Sequence, residues 1–361
     1  MRNAVIHMVT RSTSLALVLV LAIVLSAAAS CSDSRRPGDA TDAGSIVIGR
    51  DAGATDAGSP DAARLDPDAA RPDAGLVDAG APDANLPDAD VPDADVGDDP
   101  CGLGTGGPIV STSSGPADFS CLGAPRASGA VADITLRATD FQTGDVVDAV
   151  EVHAFVDGRM VDGACVAPDC IVATTPASGL IAARAHAPGE LAYRMLRHMG
   201  PTSASTRVET FGYGIDIAAA GDTVSGAGLS LATMNLVPTI LGFRRSTGTA
   251  TVMGVAHDCA GRPVSGLRAC VVADGVPVLE GVAGADPHYR YFNGDSFPSP
   301  TATETAIDGL FGAYNLPVPA AGSWGDITVY GRLPADAAPR ALFHTRARLG
   351  ADAVTLITQR P

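Results

Sequence analysis

Lysine is missing altogether: all 24 basic residues of this 361-residue chain are arginine, set against 40 acids, for a formal net charge of −16. We read the missing lysine as a bias toward GC-rich codons. So acidic a chain has no electrostatic footprint for nucleic acid or for an anionic membrane surface, and both are excluded as partners. Aromatic residues are few, 9 Phe, 6 Tyr and 1 Trp, and none falls in the first 100 positions. A packed core is therefore expected only in residues 101–361, a length that suits two small domains. Catalytic signatures are also wanting. The seven histidines, at 7, 153, 186, 198, 257, 288 and 344, form no HExxH, HxxE or HxH arrangement, so metalloprotease chemistry lacks its ligands. No G-x-S-x-G occurs, which removes a hydrolase nucleophile elbow. Gly102, Gly104 and Gly107 match G-x-G-x-x-G but run into Pro108 with no strand before them, so no dinucleotide site is expected. The chain reads as carrying no catalytic residues, no metal and no cofactor.

Long hydrophobic runs are scarce too. The run Leu15–Ala29 follows Arg2 and Arg11 and spans about 15 residues, where a bilayer-crossing helix needs roughly 20. Residues 1–30 therefore read as a secretory signal, with a positive start, an apolar middle and a small-residue end. Ala28-Ala29-Ser30-Cys31 resembles the bacterial lipobox, with Ala28 where Leu is usual. That resemblance implies cleavage before Cys31, lipidation of Cys31 and attachment to a membrane through an N-terminal lipid anchor. Each buried acyl CH₂ contributes about 0.8 kcal/mol, so several chains would hold the protein firmly. Ser32, where an Asp would retain such a protein at the inner membrane, implies the outer membrane of the cell envelope.

After Cys31 comes a tract with nothing to pack. Residues 32–100 hold 17 Asp against 5 Arg. Asp recurs every five residues at 51, 56, 61 and 66, and again from 68 through 98, a spacing that fits neither helix nor strand. With recurrent Pro and no aromatics, such a tract cannot offset its chain entropy and is expected to be a disordered acidic linker. The carboxylate run from Asp88 to Asp99 has hard oxygen ligands of the kind calcium takes. No Glu occurs before position 151 to close an EF-hand-like loop, so a solvated spacer is the reading kept.

Of seven cysteines, Cys31 is assigned to lipid. The other six, Cys101, Cys121, Cys165, Cys170, Cys259 and Cys270, are expected to form disulfides, since export delivers the chain to an oxidising space. Fifteen connectivities are open to six cysteines. Pairing in chain order, 101 with 121, 165 with 170 and 259 with 270, is the one we expect. Zinc would need CxxC pairs or a nearby His cluster, and neither is present.

Residues 133–216 show short runs, ITLRAT, DAVEVHAFV, CIVAT, GLIAARA, LAYRML and VETFGYGI, separated by turn signals. Residues 249–361 repeat the style in TATVMGVAH, LRACVVA, GLFGAYNL, DITVYGR, ALFHTRARL and AVTLITQ. Alternation of apolar and polar residues predicts half-buried strands. The fold class expected is all-β: two transthyretin-like or Ig-like β-sandwich domains after the linker. Residues 101–132 form a Cys-bracketed lead-in and 217–248 a connector, where LATMNLVPTIL is a helical candidate that Pro238 should interrupt. The two units look like copies. GDVVDAVEV from Gly144 matches GRPVSGLRA from Gly261, and a second anchor pairs Gly179 with Gly309. The second copy is about 13 residues longer between its anchors, with the excess expected in 275–303.

The segment GVAHDCAGRPVSGLRACV followed by IDGLFGAYNLP resembles the carboxypeptidase regulatory-like domain. Gly254, Asp258, Gly261, Pro263, Val264, Gly266, Asp308, Gly309, Phe311, Tyr314, Leu316 and Pro317 fall on its pattern, whereas the first copy has Val146 for Pro263 and Ser178 for the turn Asp. The resemblance implies a seven-stranded transthyretin-like sandwich with a structural role and no catalytic residues. The function expected is thus non-catalytic, a binding or structural envelope module; the alternatives are an adhesive or carbohydrate-binding surface protein and, ranked last, an enzyme with an unrecognised site. Its partner would be an unidentified envelope or extracellular protein or glycan. The candidate binding residues are Tyr289, Tyr291, Phe292 and Asp295 in the aromatic-rich insertion. Such rings could stack on a sugar or anchor a protein, or could instead cover a sandwich edge.

Overall fold

The structure is a computed structural model that describes residues 100–104, 106–126, 128–160, 165–281 and 286–361. The signal segment, Cys31 and the Asp-rich tract lie outside the described residues. A small hairpin, β1 (Ser111–Thr112) and β2 (Gly115–Pro116), comes first. The first unit has β3 (Ala130–Asp140), β4 (Glu151–Phe155), β5 (Cys170–Thr174), β6 (Leu180–Ala187), β7 (Gly189–Met195), β8 (Thr210–Ile217) and β9 (Thr223–Gly228). A helix, α1 (Leu231–Ile240), leads to the second unit: β10 (Thr249–Ala256), β11 (Arg268–Ala273), β12 (Val276–Pro277), β13 (His288–Phe292), β14 (Pro298–Ser299), β15 (Leu310–Pro317), β16 (Ser323–Gly331), β17 (Arg340–Leu349) and β18 (Val354–Gln359). Every strand run read from the sequence is a strand. β16 shows why: Ser323, Gly325, Ile327, Val329 and Gly331 are buried and the residues between are not, the period of a strand with one face on a core.

Both units are wired alike. In the first, β3 pairs antiparallel with β6 and parallel with β9; in the second, β10 pairs antiparallel with β15 and parallel with β18. The facing sheets run β5-β4-β7-β8 and β12-β11-β16-β17. The turns match bond for bond. Ala138 donates to the Gly179 carbonyl as Ala256 does to Gly309, and Val147 donates to Ala138 as Val264 does to Ala256. Ser178 does the work of the missing turn Asp, accepting from Leu180 N–H as Asp308 accepts from Leu310 N–H. Gly179 and Gly309 share φ of +66°. A Cβ at Gly309 would lie 2.6 Å from the Ala256 carbonyl oxygen, so both conformation and space demand glycine.

The units are not separate domains, because β18 pairs in parallel with β8 and merges two sheets into one of nine strands, β14-β13-β15-β10-β18-β8-β7-β4-β5. β6-β3-β9 completes the first sandwich and β12-β11-β16-β17 the second. The second core is shared: Phe155, Phe211 and Tyr213 of the first unit pack with Val252, Ile327 and Ile357. The first has its own cluster around Leu136, Val152, Tyr193 and Ile217.

Three expectations change. The connector 217–248 contains the end of β8 and all of β9, so the first sandwich runs on to 228. TVSGAG carries too little apolar alternation to announce a strand. α1 continues through Pro238 instead of stopping before it. Pro238 forgoes the bond its N–H would make to the Met234 carbonyl, but it is buried, as is Met234, which packs on the sheet, packing that outweighs propensity. The disulfides are Cys101–Cys270, Cys121–Cys259 and Cys165–Cys170, so two of the three expected pairings are exchanged. The lead-in is no self-contained loop. Val110 N–H donates to the Arg332 carbonyl, Ser111 bridges Ser265, and Cys259 N–H donates to the Asp118 carbonyl, which lays both lead-in cysteines against the second sandwich.

Candidate functional site

Sharing one sheet leaves a trough. The first sandwich ends at β9, α1 rises over the second unit's part of the sheet, and between them lies a groove of about 480 Å³, within the range of roughly 300–1,000 Å³ that ligand pockets occupy. Its floor is the face of β10, β15 and β18 that carries Met253, Val255, Leu310 and Leu356. One wall is Leu236, Val237 and Ile240 of α1; the other is Ser225 and Ala227 of β9 with the turn Phe141–Gly144. Phe292, Phe297 and Pro298 close one end. None of the 26 lining residues is charged, although the chain carries 64 charged side chains. Phe141 and Leu236 remain 39% and 38% exposed there, and Val255, Leu310, Leu356 and Ile215 are only partly covered, an apolar concavity of the kind that marks an interaction site.

The walls are held from within. Ser230 caps α1 by accepting from Thr233 N–H at 3.1 Å, and the Thr233 hydroxyl donates to Gln142 Oε1 at 2.6 Å, tying helix to turn. Asp140 accepts from Gln142 and Thr143 N–H and pairs with Arg207, which fixes the turn. Tyr193 is fully buried and donates to the Ala227 carbonyl at 2.7 Å. Burial pushes its hydroxyl well above the usual tyrosine range, so it stays a donor. Gly212 leaves room for that ring: a Cβ there would lie 2.0 Å from the Tyr193 Cε1.

The four candidate residues of the insertion do not form one surface. Tyr291 and Phe292 are buried. Tyr289 hydroxyl donates to the Val278 carbonyl at 2.7 Å and accepts from Val271 N–H at 3.1 Å, and Tyr291 hydroxyl accepts from Ala269 N–H at 3.1 Å. The two tyrosines thus reach across the second sandwich to satisfy β11 where short β12 does not pair with it, a way of protecting a strand edge. Burial pushes the Tyr291 hydroxyl up to about 12 and raises that of Tyr289 as well. Phe292 points the other way, into the cluster with Met253 and Met234, and so helps to line the groove. Asp295 is exposed in the next turn, its N–H on Asn293 Oδ1.

Two polar clefts flank the junction. One of about 300 Å³ holds Arg194 in a two-point contact with Glu209, and Trp324 beneath Arg346 and Arg348. Another of about 1010 Å³ is crossed by the pairs Arg126–Glu190 and Arg360–Asp216. His186, beside it, hydrogen-bonds Asp157 and the Gly129 carbonyl, the latter contact chiefly raising its pKa. His153 lies 2.7 Å from Glu151. Among the described residues, no group of three or more His, Cys, Asp or Glu is placed to hold a metal ion, and no helix is long and apolar enough to cross a membrane.

No family model and no curated protein matches the chain. Solved structures do. A streptococcal ancillary pilin is 12% identical, with 64% of this chain and 62% of that one covered and a TM-score of 0.21. The shaft pilin SpaA of Lactobacillus rhamnosus GG is 10% identical over 64% of this chain and 98% of its own, with a TM-score of 0.18. An intradiol ring-cleavage dioxygenase of Tetranychus urticae is 16% identical over 27% and 58%, with a TM-score of 0.15. The chain therefore spans less than two thirds of the ancillary pilin.

Proposed function

We propose that the chain is a non-enzymatic lipoprotein of the cell envelope, anchored at Cys31, whose double sandwich is a binding module. The reading rests on the uncharged apolar groove between β9 and α1, since soluble proteins rarely leave such a concavity open without use. The titratable side chains described above support it, being engaged in turn caps and ion pairs. Stacking on a glycan through the insertion gains no support, because the rings at 291 and 292 are buried. Membership of the carboxypeptidase regulatory-like family remains our proposal, supported by the turn bonds at Gly261, Asp308 and Gly309.

Nile red, an uncharged solvatochromic dye, tests the site. Titration of the purified chain should give saturable enhancement that Leu236→Glu weakens at least tenfold while the melting temperature holds, as Leu236 is exposed on α1. Binding that Leu236→Glu leaves unchanged would remove the groove from the reading. The anchor is tested separately. Metabolic labelling with radioactive palmitate should mark the wild type and not Cys31→Ser; equal labelling of both would refute lipidation there.

A further inference from the structure

We propose that the groove is a strand-acceptor slot, in which an extended, uncharged, apolar peptide segment of a partner protein adds in parallel to β9. This rests on the binding role of the groove and names what enters it. The internal repeat carries the inference. β9 stands to β3 as β18 stands to β10, each paired in parallel with the first strand of its unit. In the second unit the far side of β18 is occupied by β8, in parallel, from Val354 opposite Thr210 to Ile357 opposite Tyr213. In the first unit the equivalent side of β9 has no strand beside it among the described residues, and that side opens on the groove.

The backbone of β9 is oriented for such pairing. Thr135 N–H donates to the Asp222 carbonyl and Phe141 N–H to that of Gly228. Residues 222 to 228 at even positions therefore turn their peptide groups to β3, and Thr223, Ser225 and Ala227 turn theirs outward. Ala227 carbonyl takes the Tyr193 hydroxyl; Ser225 is exposed. Two other strands are protected more heavily than β9, where the Tyr193 hydroxyl donates to the Ala227 carbonyl. β17 carries Arg340, Arg346 and Arg348, and Arg348 N–H is donated to Tyr213 hydroxyl. β11 is capped by Tyr289 and Tyr291. β9 has no charged residue in Thr223–Gly228, and strand edges free of charge are the more open to accepting another strand. A strand beside β9 would aim alternate side chains at the apolar floor, satisfying backbone on one side and covering Leu356 and Met253 below, the combination by which strand addition gains affinity and selectivity. The absence of charge around the slot selects an uncharged segment, because a charge taken there would lose its hydration unpaired.

The probe is a fluorescent peptide with the sequence Thr210–Ile215, which contains the residues Thr210–Tyr213 that pair with β18, added to the full-length mature chain and read by anisotropy. Expected is saturable binding that competes with Nile red. Ser225→Pro should weaken it at least tenfold, since it deletes an outward N–H and no bond to β3, and Pro is tolerated at such edge positions. N-methylation of alternate peptide nitrogens should do the same with the protein unaltered, which keeps the test decisive if Ser225→Pro fails to fold. If Nile red binds and the peptide does not, or if the peptide binds equally well after N-methylation, strand addition is wrong and the groove as a binding site stands. If neither dye nor peptide binds, both fall together.

Discussion

Asp258 shows how one side chain can hold a fold together. It is fully buried, accepts from the N–H groups of Asp118, Ala260 and Arg262, and pairs with the Arg262 guanidinium at 2.7 Å. Burial pushes its carboxyl up, but the Arg262 and backbone hydrogen bonds outweigh that and hold it below the usual carboxylate range. A carboxyl lowered in the folded state contributes stability that is complete above its unfolded pKa, about 3.9, and is lost as pH falls through the folded value. Melting temperature should thus drop on acidification below about pH 4. Asp258→Asn should cost about 1–3 kcal/mol at pH 7, less than a fully buried pair, because Arg262 is 36% exposed. It should also flatten the acid limb, and thermal melts across pH 2–7 would show both. An acid limb as steep in the variant would assign the sensitivity elsewhere. Asp258 itself was legible only as a position of the family pattern that the second unit resembles. Its counterpart Asp140 was not, because the partner Arg207 lies 67 residues away.

Among elements, strands were easier to read than their neighbours. The twelve alternating runs became strands because one buried face imposes a period of two on the chain. β9 was missed since small residues suffice where Leu136 and Tyr193 already fill the space beside Gly226. The disulfides show the same limit. Six cysteines could be assigned to bridges by type, but proximity along the chain misled for four of them, because the lead-in packs on a unit more than 100 residues further on. Cys101–Cys270 and Cys165–Cys170 have separations of 169 and 5 residues; with Cys121–Cys259 intact the first closes an effective loop of about 30 residues, which in the loop-entropy picture corresponds to about 4 against about 2 kcal/mol. Replacing Cys101 and Cys270 by Ser should lower the melting temperature more than replacing Cys165 and Cys170. Peptide mapping without reductant should recover Cys101 linked to Cys270, and a Cys101–Cys121 peptide would contradict the fold of the lead-in.

At the scale of the whole molecule, β18 is the strand on which both sandwiches depend, lying between β10 and β8. Phe211 and Tyr213 join the second core through it. Removing residues 353–361 should therefore unfold both units and not only the second, and the intact chain should melt in a single transition. Two transitions, or a truncated chain that keeps the first sandwich protected from hydrogen exchange, would indicate independent domains. The groove belongs to this scale as well. α1, β9, β10 and the turn at Phe141 are separated by up to about a hundred residues, and none of them looks like a binding element alone.

Composition and periodicity were enough to determine that the fold is all-β and repeated, and that six cysteines and a set of glycines serve structure. These are local properties: each follows from burial of one strand face or from the backbone needs of one turn. Only the tertiary structure decided which cysteines meet, that two sandwiches share one sheet, and that an uncharged groove opens beside β9. Edge-to-edge pairing is made by backbone groups that every residue carries, so no side-chain pattern along the chain records which edge will be covered and which left open.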